Sequence, residues 1–213
     1  LENESAGWGG AVYLAGTSQA TFERSLFRGN VAQITEGAGG GGAIYSDRGS
    51  EVETPLLSIV DSTFDANRTA DKGWGGALHL SNVGAVISGS TFANNEAQIC
   101  GGAIFVTLPN SAGDFQLTNS TLSANKTTDP TRGRGGGLCF EAGSQLTGNI
   151  ASATITRKNA PVEAGGVFFS GAFQMRNTLL AGNSATGTNP DVAGSATSLG
   201  HNLIGDVGTA VVS

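Results

Sequence analysis

Two short sequence elements alternate through this chain of 213 residues, and that alternation restricts the fold more than any other feature. The first is Gly9-Gly10-Ala11-Val12-Tyr13. It returns as Gly42-Ala43-Ile44-Tyr45, Gly75-Gly76-Ala77-Leu78-His79 and Gly101-Gly102-Ala103-Ile104-Phe105, with looser copies at Gly136-Gly137-Leu138-Cys139 and Gly165-Gly166-Val167-Phe168. The second ends on asparagine: Phe27 to Asn30, Phe64 to Asn67, Phe92 to Asn95, Leu122 to Asn125 and Leu180 to Asn183. Ile155 to Asn159 reads as the same element with one extra residue. Aliphatic positions 12, 44, 78, 104, 138 and 167 set a repeat of irregular length but constant content. Recurrence on this scale is the mark of a solenoid.

Each cycle holds two or three short alternating strands, too small to bury their own apolar side. Stacking the cycles in parallel register pairs each backbone with the rung above and below, about 4.8 Å away. The expected fold is therefore all-β: a single-stranded right-handed parallel β-helix of about six to seven rungs, one domain over residues 1–213. Val12, Ile44, Leu78, Ile104, Leu138 and Val167 should line the interior. Leu14, Leu80, Val106, Phe140 and Phe169 join them two residues on, with Ser46 the exception. Asn30, Asn67, Asn95, Asn125, Asn159 and Asn183 should form a stacked structural ladder, since Asn tolerates left-handed backbone and can pair its amide between rungs. A β-sandwich would need hairpin turns such as Asn-Gly or Asp-Gly, and neither dipeptide occurs. Length varies in the stretches Ile34 to Gly41, Ser46 to Pro55 and Thr127 to Arg134, as insertions on the outside of a coil would.

A net charge of −6 argues against nucleic acid or an anionic membrane as partner. No apolar run reaches the roughly 20 residues that span a bilayer, so this segment is not expected to insert in a membrane. The chain begins at Leu1 rather than Met, as a processed form or a segment of a longer secreted protein would. Cys100 and Cys139 form no CxxC or Cys/His cluster, which argues against structural zinc. They fall in neighbouring rungs but offset along the strand, which argues against a bond between them.

No catalytic constellation emerges. Asp61 and Asp65 flank Phe64, but their rung neighbours supply no third carboxylate, and Arg24, one rung below Asp61, suits a surface ion pair. An acidic trail, Glu36, Asp71, Glu96, Asp129 and Glu163, reads as a solvated edge, with Ca2+ the one ion it suggests. No cofactor is otherwise expected. Tyr13, Tyr45, His79, Phe105, Cys139 and Phe168 occupy one outward position in successive rungs, a stripe about 25 Å long. Such a stripe could stack on sugar rings, pack against a neighbour, or be covered by a loop. His201 stands alone. Thr63, Thr91, Thr121 and Thr154 align, but their flanks vary too much for a flat ice-binding array. The segment before Gly9 holds no amphipathic helix to cap the coil. Thr209 to Ser213 is apolar and strand-like, so either the chain is cut from a longer solenoid or its ends pair with other copies, which without closure gives a filament.

The alternation of Gly-Gly-Ala-Ile with Phe-x-x-Asn resembles the repeats of the polymorphic outer-membrane protein family of autotransporters. Asn177 to Asn183, Asp191 to Gly194 and Ser198 to Gly205 are similar to the last rungs of bacterial choice-of-anchor Q surface proteins. The resemblance implies a right-handed parallel β-helix, secretion to the cell surface and adhesion; it implies no reaction. The expected function is a non-enzymatic extracellular structural or adhesive solenoid, self-associating end to end into a filament or meeting an extracellular surface or glycan. The alternatives are a lyase-like polysaccharide enzyme and a glycan-binding module that uses the aromatic stripe.

Overall fold

The computed structural model describes residues 2–16, 19–34, 39–47, 56–108, 114–142 and 147–213. Glu36 of the acidic trail lies outside them. Every strand pairing among the described residues is parallel, and each strand pairs with its counterpart one coil away. The chain is a parallel β-helix, with seven, seven, eight and seven strands among the described residues stacked on its four sides. The first coil shows the plan: Glu4–Ser5 on the first sheet, Val12–Ala15 on the second, Ala20–Glu23 on the third and Leu26–Arg28 on the fourth. Val31–Gln33 then returns to the first sheet and pairs with Glu4–Ser5.

Four strands per coil is more than the two or three the sequence suggests. The third sheet went unread because its strands, such as Leu56–Val60, Gly84–Ser88 and Phe115–Thr118, carry no glycine or asparagine signature. They are recognisable only by alternation, with Ile59, Ile87 and Leu117 pointing inward and buried.

The inner columns match the expectation. Ile44, Leu78, Ile104, Leu138 and Val167 are paired in register and buried. Ser46 takes its place in the next column and is buried with it. On the fourth sheet Phe27, Phe64 and Phe92 stack face to face, each 4.7 Å from the next. Gly148, opposite Phe115 and Phe173, leaves room for a ring: a Cβ there would lie 2.2 Å from the Phe173 side chain.

The corners are built from stacked left-handed residues. Arg24, Asp61, Gly89, Asn119, Ser152 and Asn177 all have positive φ and follow the third sheet; Gly29, Ala66, Asn94, Ala124, Arg157 and Gly182 do the same after the fourth. One such residue turns the chain sharply. Repeating it in every coil keeps the turns in register. The glycine pair makes the corner before the second sheet, for two separate reasons. Gly101 holds φ at 67°, and a Cβ on Gly76 would sit 2.0 Å from the Gly102 carbonyl oxygen of the next coil. The first requirement is conformational and the second is space.

The strand-like C-terminal residues continue the coil. Val211–Val212 pairs with Ser195–Ser198, and Val207, Ala210 and Val212 pack on the core. Asp206 and Thr209 donate backbone N–H groups to Asp191 Oδ2 and Asn189 Oδ1, each at 2.6 Å. Val211–Val212 is thus the end strand of the third sheet, with Val212 packed on the core and Val211 60% exposed.

Candidate functional site

The outward column of the second sheet stacks in the expected register, Tyr13, Tyr45, His79, Phe105, Cys139 and Phe168. It is not an open stripe. Tyr13 is 50% exposed, whereas Tyr45 is 7%, His79 and Phe105 2% and Cys139 0% exposed. Trp8 lies edge-on to Tyr13 and Tyr45 at 5.9 and 5.4 Å, and Trp74 sits 5.7 Å from His79 and 5.0 Å from Phe105. Cys100 is bonded to Cys139, and the Arg134 guanidinium lies 4.4 Å above the Phe168 ring.

Trp8, Trp74, Cys100 and Arg134 all stand directly before the glycine turn, which swings them back over the strand that follows. That turn cancels the apparent offset of the two cysteines and brings their Cα atoms to 5.7 Å, within bonding range. The covering residues had a signal in the sequence: Gly-Trp-Gly-Gly-Ala occurs at 7–11 and again at 73–77. Burial drives the His79 pKa down to about 3, overriding the opposing Gly40 backbone, so the ring is neutral at physiological pH. Burial first, and then Asp47, push the Tyr45 hydroxyl well above its usual range. With its centre sealed, the column is most exposed at Trp8 and Tyr13, while Phe168 at the other end is half-buried beneath Arg134.

The disulfide closes a loop over a sequence separation of 39 residues and ties this cover to the coil. Replacing both cysteines by serine should cost about 3–4 kcal/mol, mostly through the freed unfolded chain. A lower urea midpoint with an unchanged far-UV spectrum, and Trp74 emission shifted to the red, is the expected result. An unchanged midpoint would show that the bond does not constrain the coil.

The asparagine ladder is a chain of amides inside the corner that follows the fourth sheet. Asn30 Nδ2 donates to Asn67 Oδ1 at 2.7 Å, Asn67 to Asn95 at 2.9 Å and Asn95 to Asn125 at 2.9 Å. Each Oδ1 also accepts the backbone N–H of the asparagine one coil earlier, as in Asn95 N to Asn125 Oδ1 at 2.8 Å. Asn3 begins the ladder, and Asn183 hands it to the buried Asp191. Asn159 is not a member. It lies exposed on the first sheet opposite Lys126, and Lys158 holds the ladder position, 1% exposed. The count from Ile155 carried no extra residue; the fourth residue is simply lysine. Its Nζ donates to the Thr156 carbonyl at 2.8 Å, and burial lowers its pKa to about 6. No side-chain amide oxygen stands at this position, so amide-to-amide donation stops at Asn125, whose Nδ2 donates to the Phe92 carbonyl at 2.9 Å.

A second ladder went unread. Ser62, Ser90 and Ser120 each accept the N–H of the serine one coil earlier at 3.1 Å, and each hydroxyl donates to the carbonyl two residues back.

The carboxylates are engaged singly. Asp65 pairs with Arg28 at 3.0 Å and accepts from Asn94. Arg24 pairs with its neighbour Glu23 at 3.1 Å rather than with Asp61, since its left-handed corner turns the two side chains together. Within the acidic trail, Glu96 pairs with Lys126, and Glu163 accepts from Asn189. Asp129 caps a turn, held well below the usual carboxylate range by the Thr131 N–H and hydroxyl and by Arg132. The one close group of candidate metal ligands among the described residues, Cys100, Cys139 and Glu141, has both sulfurs spent in the disulfide.

The Chlamydia polymorphic membrane protein (Chlamydia_PMP) repeat matches residues 24–47 and 89–107. Each match runs from a fourth-sheet strand through its asparagine to the next second-sheet strand, so the matched unit contains both sequence elements. A "probable outer membrane protein pmp6" of Chlamydia pneumoniae is 31% identical over 143 residues, which is 64% of this chain and 10% of that protein. The chain thus spans about a tenth of that relative's length. No solved structure gives a significant match. The stretches that resemble choice-of-anchor Q proteins lie outside the two repeat matches. Repeat content, coil geometry and relative agree: the chain is a parallel β-helix whose repeats are similar to those of polymorphic membrane proteins.

Proposed function

We propose that the chain is a non-enzymatic, surface-exposed rod segment of an adhesin. The observation that carries this reading is the unbroken inner column, paired in register through every coil, which makes a stiff body whose sides are free to vary. The outer-membrane relative supports a place at the cell surface. Carboxylates engaged one by one with arginine, lysine or amide partners support a binding role over lyase or hydrolase chemistry, which needs them converging on one groove. Self-contact, end to end or side by side, is the other partner we propose.

Beads coated with the chain should adhere to cultured epithelial cells above beads carrying an unrelated protein of similar charge. The same protein should release no unsaturated or reducing product from uronate polymers. Product release, or adhesion no better than the control, would overturn the proposal.

A further inference from the structure

The outer face of the third sheet carries a polar trough that none of the expected sites included. Gln116, Asn149 and Gln174 stand in register on Phe115–Thr118, Thr147–Ala151 and Ala172–Arg176, and Thr197 continues the column. Two surface depressions lie along this column. One is lined by Asp114, Gln116, Asn149 and Gln174; the other includes Gln174, Thr197 and Ser213. Gln174 borders both, so the two depressions lie end to end along the coil axis as one polar trough lined on either side of it. From Gln116 to Ser213 it crosses four rung intervals, about 19 Å.

Three observations identify what it would hold. Among the described residues no hydrogen bond engages the side-chain amides of Gln116, Asn149 or Gln174. The inner asparagines, by contrast, are spent on one another. Each free amide offers two donors and a carbonyl acceptor, a set that suits vicinal hydroxyl groups. The lining holds one carboxylate, Asp114, and no lysine or arginine; Arg176, the nearest cation on that strand, lies outside it. An anionic polymer would therefore find repulsion without compensation. Finally, the strands bearing the amides are paired on both edges, so a peptide cannot join by strand addition. The rung repeat is close to the length of one pyranose unit in an extended chain.

We propose that this trough binds a neutral, extended glycan along the coil axis, with successive sugar units over Gln116, Asn149 and Gln174. The inference rests on the adhesive reading and names its ligand class.

Calorimetric titration with cellohexaose and with chitohexaose tests it, with hexagalacturonate as the charged comparison. At least one neutral hexasaccharide should bind ten or more times tighter than hexagalacturonate. The variant Gln116→Ala/Asn149→Ala/Gln174→Ala should lose that binding at least tenfold with an unchanged melting curve. Should the triple variant melt early, single Gln174→Glu, which adds a charge to the middle of the trough, should show the same loss. Binding of neither neutral sugar, preference for the uronate, or unchanged binding in folded variants would overturn the proposal. Bead adhesion measured on the same variants separates the two readings. Adhesion without glycan binding removes the trough and leaves the adhesin, whereas glycan binding without adhesion does the reverse.

Discussion

Asn95→Ala should lower stability by about 4 kcal/mol, whereas Asn159→Ala should change it by less than about 0.5 kcal/mol, although the two positions look alike in sequence. Asn95 is 0% exposed, and its amide serves three chain segments. Oδ1 accepts from Asn67 N and Nδ2, each at 2.9 Å; Nδ2 donates to the Phe64 carbonyl at 3.0 Å and to Asn125 Oδ1 at 2.9 Å. Truncation leaves a backbone N–H and an amide proton of Asn67 buried with no acceptor. Each such orphan costs about 1–3 kcal/mol, more than an intact hydrogen bond contributes. The Asn159 side chain makes a single hydrogen bond, to Ser184 Oγ at 3.1 Å on the exposed first sheet. Urea titrations of the two variants beside the parent are sufficient. Equal losses would mean that the ladder is not what holds this corner.

That contrast shows which parts of the fold were legible. The inner aliphatics were readable because a coil repeats its geometry. Ile44, Leu78 and Ile104 must meet the same surroundings, and each therefore keeps the same apolar character. The ladder was readable for the same reason, up to Asn125. It misled at Asn159, where the asparagine signature was followed one residue past the geometric position that Lys158 fills. What could not be read was the contact made across a turn. Trp74 covers the aromatic column because the left-handed Gly75 after it reverses the chain, and that conformation is not written in its neighbours' side chains. The Cys100–Cys139 bond depends on the same reversal. The amide trough was invisible for a different reason. Gln116, Asn149 and Gln174 share a column only once the third sheet exists, and loops of unequal length separate them in sequence.

Lys158→Asn should stabilise the protein, and the gain should shrink as pH rises. The parent lysine is almost fully buried, and its pKa of about 6 in the folded chain lies well below the ordinary 10.5. Between those two values the unfolded chain holds a proton that the folded chain has given up. Stability therefore rises with pH across that window, by up to about 1.4 kcal/mol per pH unit from this residue. Below about 6 both states are protonated, and the penalty is at its full size and constant. At pH 7 the cost of keeping the amine neutral inside the coil is on the order of 5 kcal/mol. Asparagine removes that cost and also supplies the missing acceptor, so that Asn125 can donate onward as Asn95 does to it. Lys158→Met removes the titration without restoring the amide chain and isolates the first effect. Unfolding free energies of the three proteins at pH 6.5, 8 and 9.5 should show both variants above the parent and converging on it with rising pH, with Asn above Met throughout. A gap that stays constant across that range would show that the lysine is charged in the folded coil and stabilised there by a partner.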